Sequence, residues 1–521
     1  MLLSELLRDV NYTGTIQDVE VKAVTCDSRL VEPGSVFVCI KGGAVDGHEY
    51  ARAAKRLGAS WIIAERDTGL ANQVLVEDAR AAYAVCCANI NGRPADKLRL
   101  IGVTGTNGKT TITYLIKHIL ESAGKKTGLI GTIHNEIGDM ELPAKHTTPD
   151  PAELHILFRR MVEAGCEYCV MEVSSHALDQ HRVEGCRFET AIFTNLTQDH
   201  LDYHGTMENY FAAKSLLFGL CDKAVVCIDD EYGRRLAASV QCPVTTVSIH
   251  SDEADFTAHE IHLSATGCKY MLVGNGLIGR ISFAMPGDFS VMNSMMAACA
   301  ALNAGIPFDQ TVEALNSSAG VSGRAEVIPT GRDFTVICDY AHDPDALEKI
   351  LESICAYKGE SRLVTLFGCA GQRDKTKRPK MAKIVADHSD FFILTSDNPR
   401  NESPQEIIDE ALEGLKDTQT PYYVEPDRYK AIKWALENSR PGDILLLAGK
   451  GHEDYQVLDY GTIYFDERVV VKDLLAKMDS EGFIGAAKPA DAGNSEGASE
   501  SGRTAAPVES EDSAKPADSE K

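Results

Sequence analysis

Short apolar runs alternate with amphipathic stretches along most of the chain. In the clearest case, an apolar run at residues 98–103 precedes a stretch whose apolar residues recur at helical spacing up to Gly124. Those residues are Ile112, Leu115, Ile116, Ile119 and Leu120. The pattern predicts a buried strand followed by an amphipathic helix that ends at a glycine.

The same alternation continues on both sides of this pair. Further strands are predicted at residues 21–27, 36–40, 61–64, 168–171, 191–193, 334–338, 363–367, 391–394 and 444–447. Further helices are predicted near the N-terminus, at residues 46–57, from Ala152 onward and at residues 210–218. Strands that alternate with helices in this way predict an α/β fold with parallel sheets.

Breaks in the pattern suggest where domains end. The turn-forming residues 91–94 indicate a linker, and the strand–helix alternation restarts near Ala325. Beyond Gly485 the chain has no aromatic residue and only Val508 among the larger aliphatic ones, too little apolar surface to offset the entropy of ordering. We therefore predict domains at residues 1–97, 98–324 and 325–485, followed by a disordered acidic tail at residues 486–521.

The segment between the predicted strand and helix at residues 98–124 has the composition of a phosphate-binding loop. Its residues are Gly105, Thr106, Asn107, Gly108, Lys109, Thr110 and Thr111. Glycines let backbone N–H groups surround a phosphate, the lysine can reach β- and γ-phosphates, and the Thr110 hydroxyl can bind magnesium. Val103 stands where the first glycine of the common motif would be, so a glycine turn without a ligand is the alternative. The strand–helix context favours the phosphate.

Two polar side chains follow neighbouring apolar runs in the middle of the chain. Glu172 ends the run at residues 168–171, and His200 lies just beyond the run at residues 191–193. Because the carboxyl ends of parallel strands meet at one edge of a sheet, we expect both near the phosphate loop, where they could bind magnesium. A salt-bridged carboxylate and a loop histidine with ordinary partners are the alternatives. Composition alone predicts that Lys214 extends to solvent.

Charge and cysteine usage narrow the class of protein. The formal net charge of −25 provides no basic excess for nucleic acid or an acidic membrane. The fifteen cysteines are mostly isolated, and the Cys166–Cys169 pair has no second pair at metal-ligand spacing, so core packing is expected. No segment has the length of a membrane span or the pattern of a signal peptide. We expect a soluble cytoplasmic protein.

Several motifs together resemble the Mur ligase family. They are GTNGKTT from Gly105, MEVSSHAL from Met171, TNLTQDHLDYHGTMENYFAAKSLLF from Thr194, DYAHDPDAL from Asp339, FGCAGQRDKTKRP from Phe367, DNPR from Asp397 and GKGHEDYQ from Gly449. The resemblance spans roughly residues 21 to 470 in family order.

The resemblance implies three α/β domains: an N-terminal domain for a UDP-linked precursor, a central P-loop-type ATPase domain and a C-terminal Rossmann-like domain for an amino acid. It implies ATP as co-substrate, Mg²⁺ as cofactor and an acyl-phosphate mechanism of amide formation in peptidoglycan synthesis. The substrates would be UDP-N-acetylmuramoyl-L-Ala-D-Glu and meso-diaminopimelate. No nucleic-acid partner is implied, and a monomer is expected.

Residue roles follow from the same resemblance. Lys109, Glu172, His200 and Lys214 would be catalytic. Thr110 and Glu172 would bind the magnesium of ATP, and Glu172 and His200 would lie near a second ion. Lys214 would carry a carbamate derived from CO2. Asn293 and Arg324 would contact the nucleotide. The residues matching the UDP-substrate contacts are Ser28, Thr147, Thr148, Ser174, Gln180 and Arg182. Ser28 also lies in an Asp-Ser-Arg sequence, which is most often a turn with an exposed ion pair.

Arg400 indicates which amino acid is added. The distal carboxylate of diaminopimelate can accept two hydrogen bonds from a guanidinium, whereas the ammonium of lysine would be repelled by it. Other residues that match diaminopimelate binding are Arg373, Asp397, Asn398, Pro399, Gly449 and Glu453. For Arg373, an ion pair with Asp374 is the alternative. A lysine-adding ligase of this family, or a P-loop scaffold that only binds nucleotide, remains the alternative function.

Overall fold

In the computed structural model, the chain folds into three successive α/β regions. The structure describes residues 1–43, 45–416 and 418–481. The tail predicted at residues 486–521 lies outside the described residues.

The N-terminal region is built on a five-stranded sheet in the order β1-β5-β4-β3-β2. Strands β2 to β5 are parallel, and β1 is antiparallel to β5. Its elements are α1 (Leu3–Leu6), β1 (Tyr12–Thr13), β2 (Ala23–Thr25), β3 (Ser35–Val38), α2 (Ala51–Leu57), β4 (Trp61–Ala64), β5 (Gln73–Val76) and α3 (Ala79–Ile90).

The central region contains an eleven-stranded sheet in the order β16-β15-β14-β13-β12-β11-β6-β10-β7-β8-β9. Its strands are β6 (Arg99–Thr104), β7 (Thr127–Ile130), β8 (His134–Ile137), β9 (Met140–Pro143), β10 (Tyr168–Glu172), β11 (Phe188–Phe193), β12 (Cys221–Cys227), β13 (Val244–Ser248), β14 (Phe256–Ser264), β15 (Gly267–Gly274) and β16 (Leu277–Phe283). Its helices are α4 (Lys109–Ser122), α5 (Pro151–Glu163), α6 (Ser175–Asp179), α7 (Leu201–His204), α8 (Met207–Ser215), α9 (Glu231–Ser239), α10 (Asp288–Asn303) and α11 (Phe308–Ser317).

The C-terminal region has a six-stranded sheet in the order β17-β18-β22-β19-β20-β21, parallel except for β17. Its strands are β17 (Glu326–Ile328), β18 (Thr335–Asp339), β19 (Leu363–Cys369), β20 (Phe391–Ser396), β21 (Tyr422–Val424) and β22 (Ile444–Ala448), followed by the hairpin β23 (Tyr455–Leu458) and β24 (Gly461–Tyr464). Its helices are α12 (Pro344–Tyr357), α13 (Lys377–His388), α14 (Pro404–Leu412), α15 (Arg428–Glu437) and α16 (Glu467–Ser480).

Strand β6 occupies the centre of the middle sheet and explains where the phosphate loop lies. Ile101 and Val103 pack into one apolar cluster with helices α4 and α10, whereas Leu100 packs into a second cluster with α5 on the opposite face. The strand is buried on both faces, which is typical of parallel sheets. Because β10 and β11 flank β6 in parallel, the carboxyl ends of all three strands meet at one edge.

The structure corrects several predicted element boundaries. The run at residues 21–27 forms only the strand Ala23–Thr25, because Asp27 accepts a hydrogen bond from the backbone N–H of Arg29 and turns the chain. The stretch at residues 46–57 begins as a 3₁₀ turn before α2. Residues 210–218 are split between α8 and a 3₁₀ turn at Leu216–Gly219.

Cys166 and Cys169 are buried in the core, as predicted. Within the described ranges, no group of three or more His, Cys, Asp or Glu side chains is arranged to hold a metal ion. A search of the described helices found none long and apolar enough to cross a membrane.

Candidate active site

The predicted phosphate loop connects the carboxyl end of β6 to the first turn of α4. Gly105 and Gly108 have φ angles of +144° and +86°, a region that L side chains rarely adopt. A Cβ atom at Gly108 would also lie 2.5 Å from Asn293 Oδ1. The glycine therefore permits both the loop conformation and the close approach of Asn293, a predicted nucleotide contact.

Two lysine side chains converge on this loop. Lys109 Nζ donates to the carbonyl oxygens of Gly105 at 3.0 Å and Thr106 at 2.9 Å. Lys214 Nζ donates to the same Gly105 oxygen at 2.8 Å and lies 4.5 Å from the centre of the Tyr210 ring. Lys214 is 1% exposed, so the expectation that it extends to solvent was wrong. Helix α8 directs this side chain inward beside the loop.

The protein environment disfavours the charged form of both amines. Desolvation lowers the pKa of Lys109, whereas the negative charges of Glu172 and Asp199 raise it. Burial lowers the pKa of Lys214 well below its ordinary value, and the charge of Lys109 adds to this effect. Both amines bind the carbonyl oxygen of Gly105, and within the described residues neither forms the ion pair that usually accompanies a lysine removed from solvent.

A hydroxyl and a carboxylate meet at the mouth of the loop. Thr110 Oγ1 donates to Glu172 Oε1 at 3.0 Å, and Glu172 is 1% exposed. Glu172 also accepts hydrogen bonds from Thr132, through its backbone N–H at 2.8 Å and its hydroxyl at 3.1 Å. Arg324 Nη2 donates to Thr110 Oγ1 at 3.3 Å. Predicted ligands from three separate segments thus form one connected group.

His200 lies at the edge of this group. Its side chain is 47% exposed, its Nε2 is 3.4 Å from Asp199 Oδ2, and its ring centroid is 4.9 Å from that of His176. Burial lowers the pKa of His200, Asp199 raises it, and the charges of His176, Lys109 and Lys214 lower it further. Among the described residues no hydrogen bond or ion pair joins His200 to Glu172, so the role of His200 near an ion stays a prediction.

Five of the six residues assigned to the UDP substrate form a chain beside Glu172. Thr148 Oγ1 donates to the backbone oxygen of Glu172 at 2.9 Å, and Thr147 Oγ1 is 3.0 Å from Thr132 Oγ1. The others continue the chain through bonds from Ser174 N to Thr148 Oγ1, Arg182 Nη1 to Thr148 O and Arg182 Nη2 to Gln180 Oε1.

Ser28 is separate from that chain. It lies half-buried in a 3₁₀ turn of the N-terminal domain, and no hydrogen bond between described side chains joins it to the other five. Asp27 and Arg29 form the exposed ion pair that the alternative interpretation of this sequence predicted, with a distance of 2.6 Å.

The residues assigned to the amino acid lie at the carboxyl edge of the C-terminal sheet. Asn398 Nδ2 donates to Glu453 Oε2 at 2.9 Å, which joins the loop after β20 to the turn after β22. Arg400 Nη1 donates to the Gly371 carbonyl at 2.7 Å, and Arg400 has φ +55°. Asp397 is buried, Gly449 has φ +114°, and the carbonyl of Pro399 packs against Gly371.

Arg373 is exposed on the loop that follows β19. The ion pair with Asp374 that was its alternative interpretation is absent from the described residues, because Asp374 Oδ1 instead accepts hydrogen bonds from the N–H and hydroxyl of Thr376. Arg373 therefore remains available to a ligand.

Sequence reasoning missed three residues that complete these groups: Thr132, Asp345 and Lys450. Thr132 lies just beyond the carboxyl end of β7, and Glu172 is the last residue of β10. The position of Thr132 after an apolar run was therefore an available signal. Lys450 stands between two glycines after the apolar run of β22. The distant partners of Asp345, namely Asn107 and Thr197, leave no signal in the local sequence.

The fold and the site together define an enzyme class. A phosphate loop with a hydroxyl–carboxylate pair lies in the central domain, and a second polar site lies at the edge of a Rossmann-like domain. This combination is that of a nucleotide-dependent enzyme that brings a second substrate to the nucleotide.

Comparison with known proteins identifies the family. Residues 20–91 match the model "Mur ligase family, catalytic domain", residues 103–301 match "Mur ligase middle domain", and residues 323–451 match "Mur ligase, glutamate ligase domain". The chain belongs to the Mur ligase family.

Individual relatives cover nearly the whole chain. A UDP-N-acetylmuramoyl-L-alanyl-D-glutamate--2,6-diaminopimelate ligase of Caldanaerobacter subterraneus subsp. tengcongensis is 46% identical over 92% of this chain and 99% of its own. The ligase of the same name from Clostridium perfringens is 43% identical over 91% of this chain and 99% of its own. A solved structure of a ligase of that name is 33% identical, with a TM-score of 0.67 over 88% of this chain and 95% of its own.

Proposed function

We propose that this chain uses ATP to join meso-diaminopimelate to the D-glutamyl carboxylate of UDP-N-acetylmuramoyl-L-Ala-D-Glu, a step of peptidoglycan synthesis. Identity of 46% over 92% of the chain to a ligase of that name supports the proposal. The structural observation that carries it is the 3.0 Å Thr110–Glu172 pair beside a loop lysine whose ammonium is bonded to backbone carbonyls. Such a lysine can exchange its hydrogen bonds to the carbonyl oxygens for hydrogen bonds to phosphate oxygens.

The reaction has two steps. The D-glutamyl carboxylate attacks the γ-phosphorus of ATP, which gives an acyl phosphate and ADP. The amine of diaminopimelate then attacks the acyl carbon, phosphate leaves, and the nitrogen loses a proton to give the amide. Because little covalent chemistry falls to the protein, its residues act by position and charge. Lys109 and the loop N–H groups offset negative charge on the phosphoryl group in flight.

Magnesium fits the residues at the mouth of the loop. A hydroxyl and a carboxylate are ligand types that Mg²⁺ prefers, and it commonly completes its shell with phosphate oxygens and water. Thr110 and Glu172 would hold the ion on ATP, with His200 near a second ion. When bound, the ions would neutralise charge on the phosphates and hold their orientation.

Lys214 suits the carbamate that the family resemblance implies. Its unprotonated amine attacks the carbon of CO2, a nitrogen–carbon bond forms, and one proton leaves to solvent. The lowered pKa favours the unprotonated amine that this step needs. The product replaces an ammonium beside Gly105 with an anionic pair of oxygens, which can serve as ligands of a metal ion.

The two acidic partners would be held by different domains. We assign the UDP-linked precursor to Ser28 of the domain at residues 1–97 and to Thr147, Thr148, Ser174, Gln180 and Arg182 of the domain at 98–324. We assign diaminopimelate to residues of the domain at 325–485, namely Arg373, Asp397, Asn398, Pro399, Arg400, Gly449 and Glu453. We also propose that the protein acts as a monomer in the cytoplasm, where ATP is available.

Phosphate release tests the reaction and the choice of amino acid. Full-length protein receives ATP, magnesium and UDP-N-acetylmuramoyl-L-Ala-D-Glu, with either meso-diaminopimelate or L-lysine. We expect phosphate release in the reaction that contains diaminopimelate and not in the one that contains L-lysine. Arg400→Ala would remove a hydrogen-bonded ion pair between the guanidinium and the distal carboxylate of diaminopimelate. Such a pair contributes about 2 kcal/mol to binding, so we expect KM for diaminopimelate to rise about 30-fold.

Arg280→Ala is the matched control, because Arg280 is 76% exposed on β16 and should leave KM unchanged. Phosphate release with L-lysine would refute the assignment of diaminopimelate but would still support a ligase. ATP hydrolysis without amide formation would refute the ligase and leave a nucleotide-binding protein.

A further inference from the structure

Lys450 is a fully buried lysine at the amino-acid site. It lies in the turn after β22, between Gly449 and Gly451, whose φ angles are +114° and +51°. Its side chain is 0% exposed. A buried ammonium destabilises a fold unless acceptors surround it, so its partners indicate what it does.

Those partners are the polar groups that face the amino-acid site. Lys450 Nζ lies 2.9 Å from Glu453 Oε2, 3.3 Å from Asn398 Oδ1 and 3.5 Å from Asp397 Oδ1. The Glu453 contact is the shortest of the three and has hydrogen-bond geometry for a charged pair. One ammonium thus links the loop after β20 to the turn after β22.

The same contacts fix the orientation of the Asn398 amide. Its Oδ1 accepts from Lys450 and, at 2.9 Å, from the backbone N–H of Val457, while its Nδ2 donates to Glu453 Oε2 at 2.9 Å. A flipped amide would point a donor at the ammonium and at the N–H group. Asn398 is therefore held in one orientation by Lys450 and Val457 together.

The arrangement also leaves Glu453 with capacity for a ligand. Lys450 and Asn398 both bind Oε2, so neither contact uses Oε1, and the Tyr455 hydroxyl is a further hydrogen-bond neighbour of this carboxylate. Lys450 supplies one positive charge against the carboxylates of Asp397 and Glu453, which leaves one negative charge unmatched within this trio. A carboxylate oriented in this way suits one ammonium group of an amino acid.

We propose that Lys450 is a positioning residue that holds Glu453 and Asn398 in the orientation that receives an ammonium group of the incoming amino acid. The proposal rests on the ligase function above. Lys450 acts through Glu453 and does not touch the substrate. Removing it therefore weakens amino-acid binding only as long as Glu453 is present.

A double-mutant cycle on the full chain tests this dependence. Phosphate release gives KM and kcat for Lys450→Met, Glu453→Gln and the double variant, each with meso-diaminopimelate varied and then with ATP varied. We expect Lys450→Met to raise KM for diaminopimelate about 10- to 100-fold, as for a lost hydrogen bond to a charged group. KM for ATP and kcat should change less than about threefold. In the Glu453→Gln background, Lys450→Met should raise KM for diaminopimelate less than about threefold further.

Two further variants keep the test decisive. Lys450→Met leaves the buried carboxylates of Glu453 and Asp397 without this cation. Lys450→Gln, which retains a donor, is therefore measured beside it, and the double variant removes the charge of Glu453 and leaves that of Asp397. Lys472→Met, an exposed position on α16, is the control and should behave as the wild type.

Each outcome bears on one proposal. Equal losses with and without Glu453, or a joint fall in affinity for ATP and diaminopimelate, would show a general structural role and refute the inference. Unchanged KM in both Lys450 variants would refute it as well. If the wild type fails to release phosphate with diaminopimelate, the proposed function fails first, and the two failures are thereby distinguished.

Discussion

The phosphate loop and the amino-acid site both place lysines among polar atoms, yet the partners differ in charge. Lys109 and Lys214 bond to neutral carbonyl oxygens of the loop. Lys450 instead lies against the carboxylates of Glu453 and Asp397. At the loop, Lys109 has no hydrogen bond to a carboxylate within the described residues, so its charge is available to an anion. At the amino-acid site, the lysine charge is balanced by the protein and serves to orient a carboxylate.

The difference teaches that a lysine's role follows from its acceptors. A carbonyl acceptor satisfies the hydrogen bond but leaves the ammonium free to attract phosphate. A carboxylate acceptor uses that attraction within the fold. The same residue type therefore marks an anion site in the central domain and a site for an ammonium group in the C-terminal domain.

The largest expected effect comes from removing the unbalanced charge. Lys109→Met takes away an ammonium that would contact phosphate oxygens, so we expect turnover to fall about 10³-fold, at the upper end for a single charge-stabilising donor. Phosphate release under saturating substrates measures it. Lys125→Met, just beyond α4 and bonded to Glu167 at 3.0 Å, is the control and should retain turnover. If turnover of Lys109→Met stayed within tenfold of the wild type, the proposed difference between the two sites would be contradicted.

Much of the phosphate loop and of the amino-acid site could be predicted from the sequence, because local sequence patterns encode their elements. The glycines of the loop, the apolar run of β6 and the helical spacing of α4 are contiguous in the sequence, and Glu172 is the last residue of strand β10. Parallel topology then brings strand ends together without further information. The predicted strands of the C-terminal domain also form, and they carry Asp397 and Gly449 at their carboxyl ends.

What could not be predicted depends on contacts between distant segments. The inward direction of Lys214 is set by the packing of α8 beside the loop, although the helix alone looks polar at that position. The antiparallel strands β14 to β16 alternate buried and exposed residues too irregularly to stand out. Thr132 and Lys450 gain their roles only when their partners are known.

A further buried base, His155, extends the comparison to a group without a hydrogen-bond partner among the described residues. It is 0% exposed on α5, and neither ring nitrogen has a hydrogen-bond partner among the described residues. The pKa of His155 is lowered from 6.5 to about 4, mainly by burial and also by the charge of Arg93, whereas Asp96 raises it. Since the folded pKa is depressed, its contribution to stability is complete above pH 6.5 and is lost as the pH falls toward 4.

This shift predicts a loss of about 3 kcal/mol in the free energy of unfolding at pH 4 relative to pH 7. Urea denaturation of wild type and His155→Leu at both pH values measures it. The variant should lack this part of the acid sensitivity, whereas His250→Leu, at an exposed position, should keep it. Equal acid sensitivity of wild type and His155→Leu would contradict the prediction.

The smallest expected effect concerns Asp345, which connects the C-terminal domain to the phosphate loop. Its Oδ2 accepts hydrogen bonds from Asn107 Nδ2 at 3.0 Å, Thr197 Oγ1 at 2.9 Å and Lys349 Nζ at 2.8 Å. A carboxylate beside the loop opposes an anion there, with Lys349 offsetting part of its charge. Asp345→Asn keeps an acceptor oxygen but removes the charge.

If the loop attracts anions by surplus positive charge, this substitution should strengthen nucleotide binding by about 1 kcal/mol, the size of a partly screened charge interaction. That corresponds to about a fivefold lower Kd for ADP, measured calorimetrically without magnesium. Glu348→Gln, exposed on the same helix, is the matched control for net charge. An equal gain in both variants would reflect the overall charge of the protein, and a weaker affinity in Asp345→Asn would show that the carboxylate is needed to shape the loop. Only a gain confined to Asp345 would support the view that charge balance at the loop, set partly from the C-terminal domain, controls its attraction for phosphate.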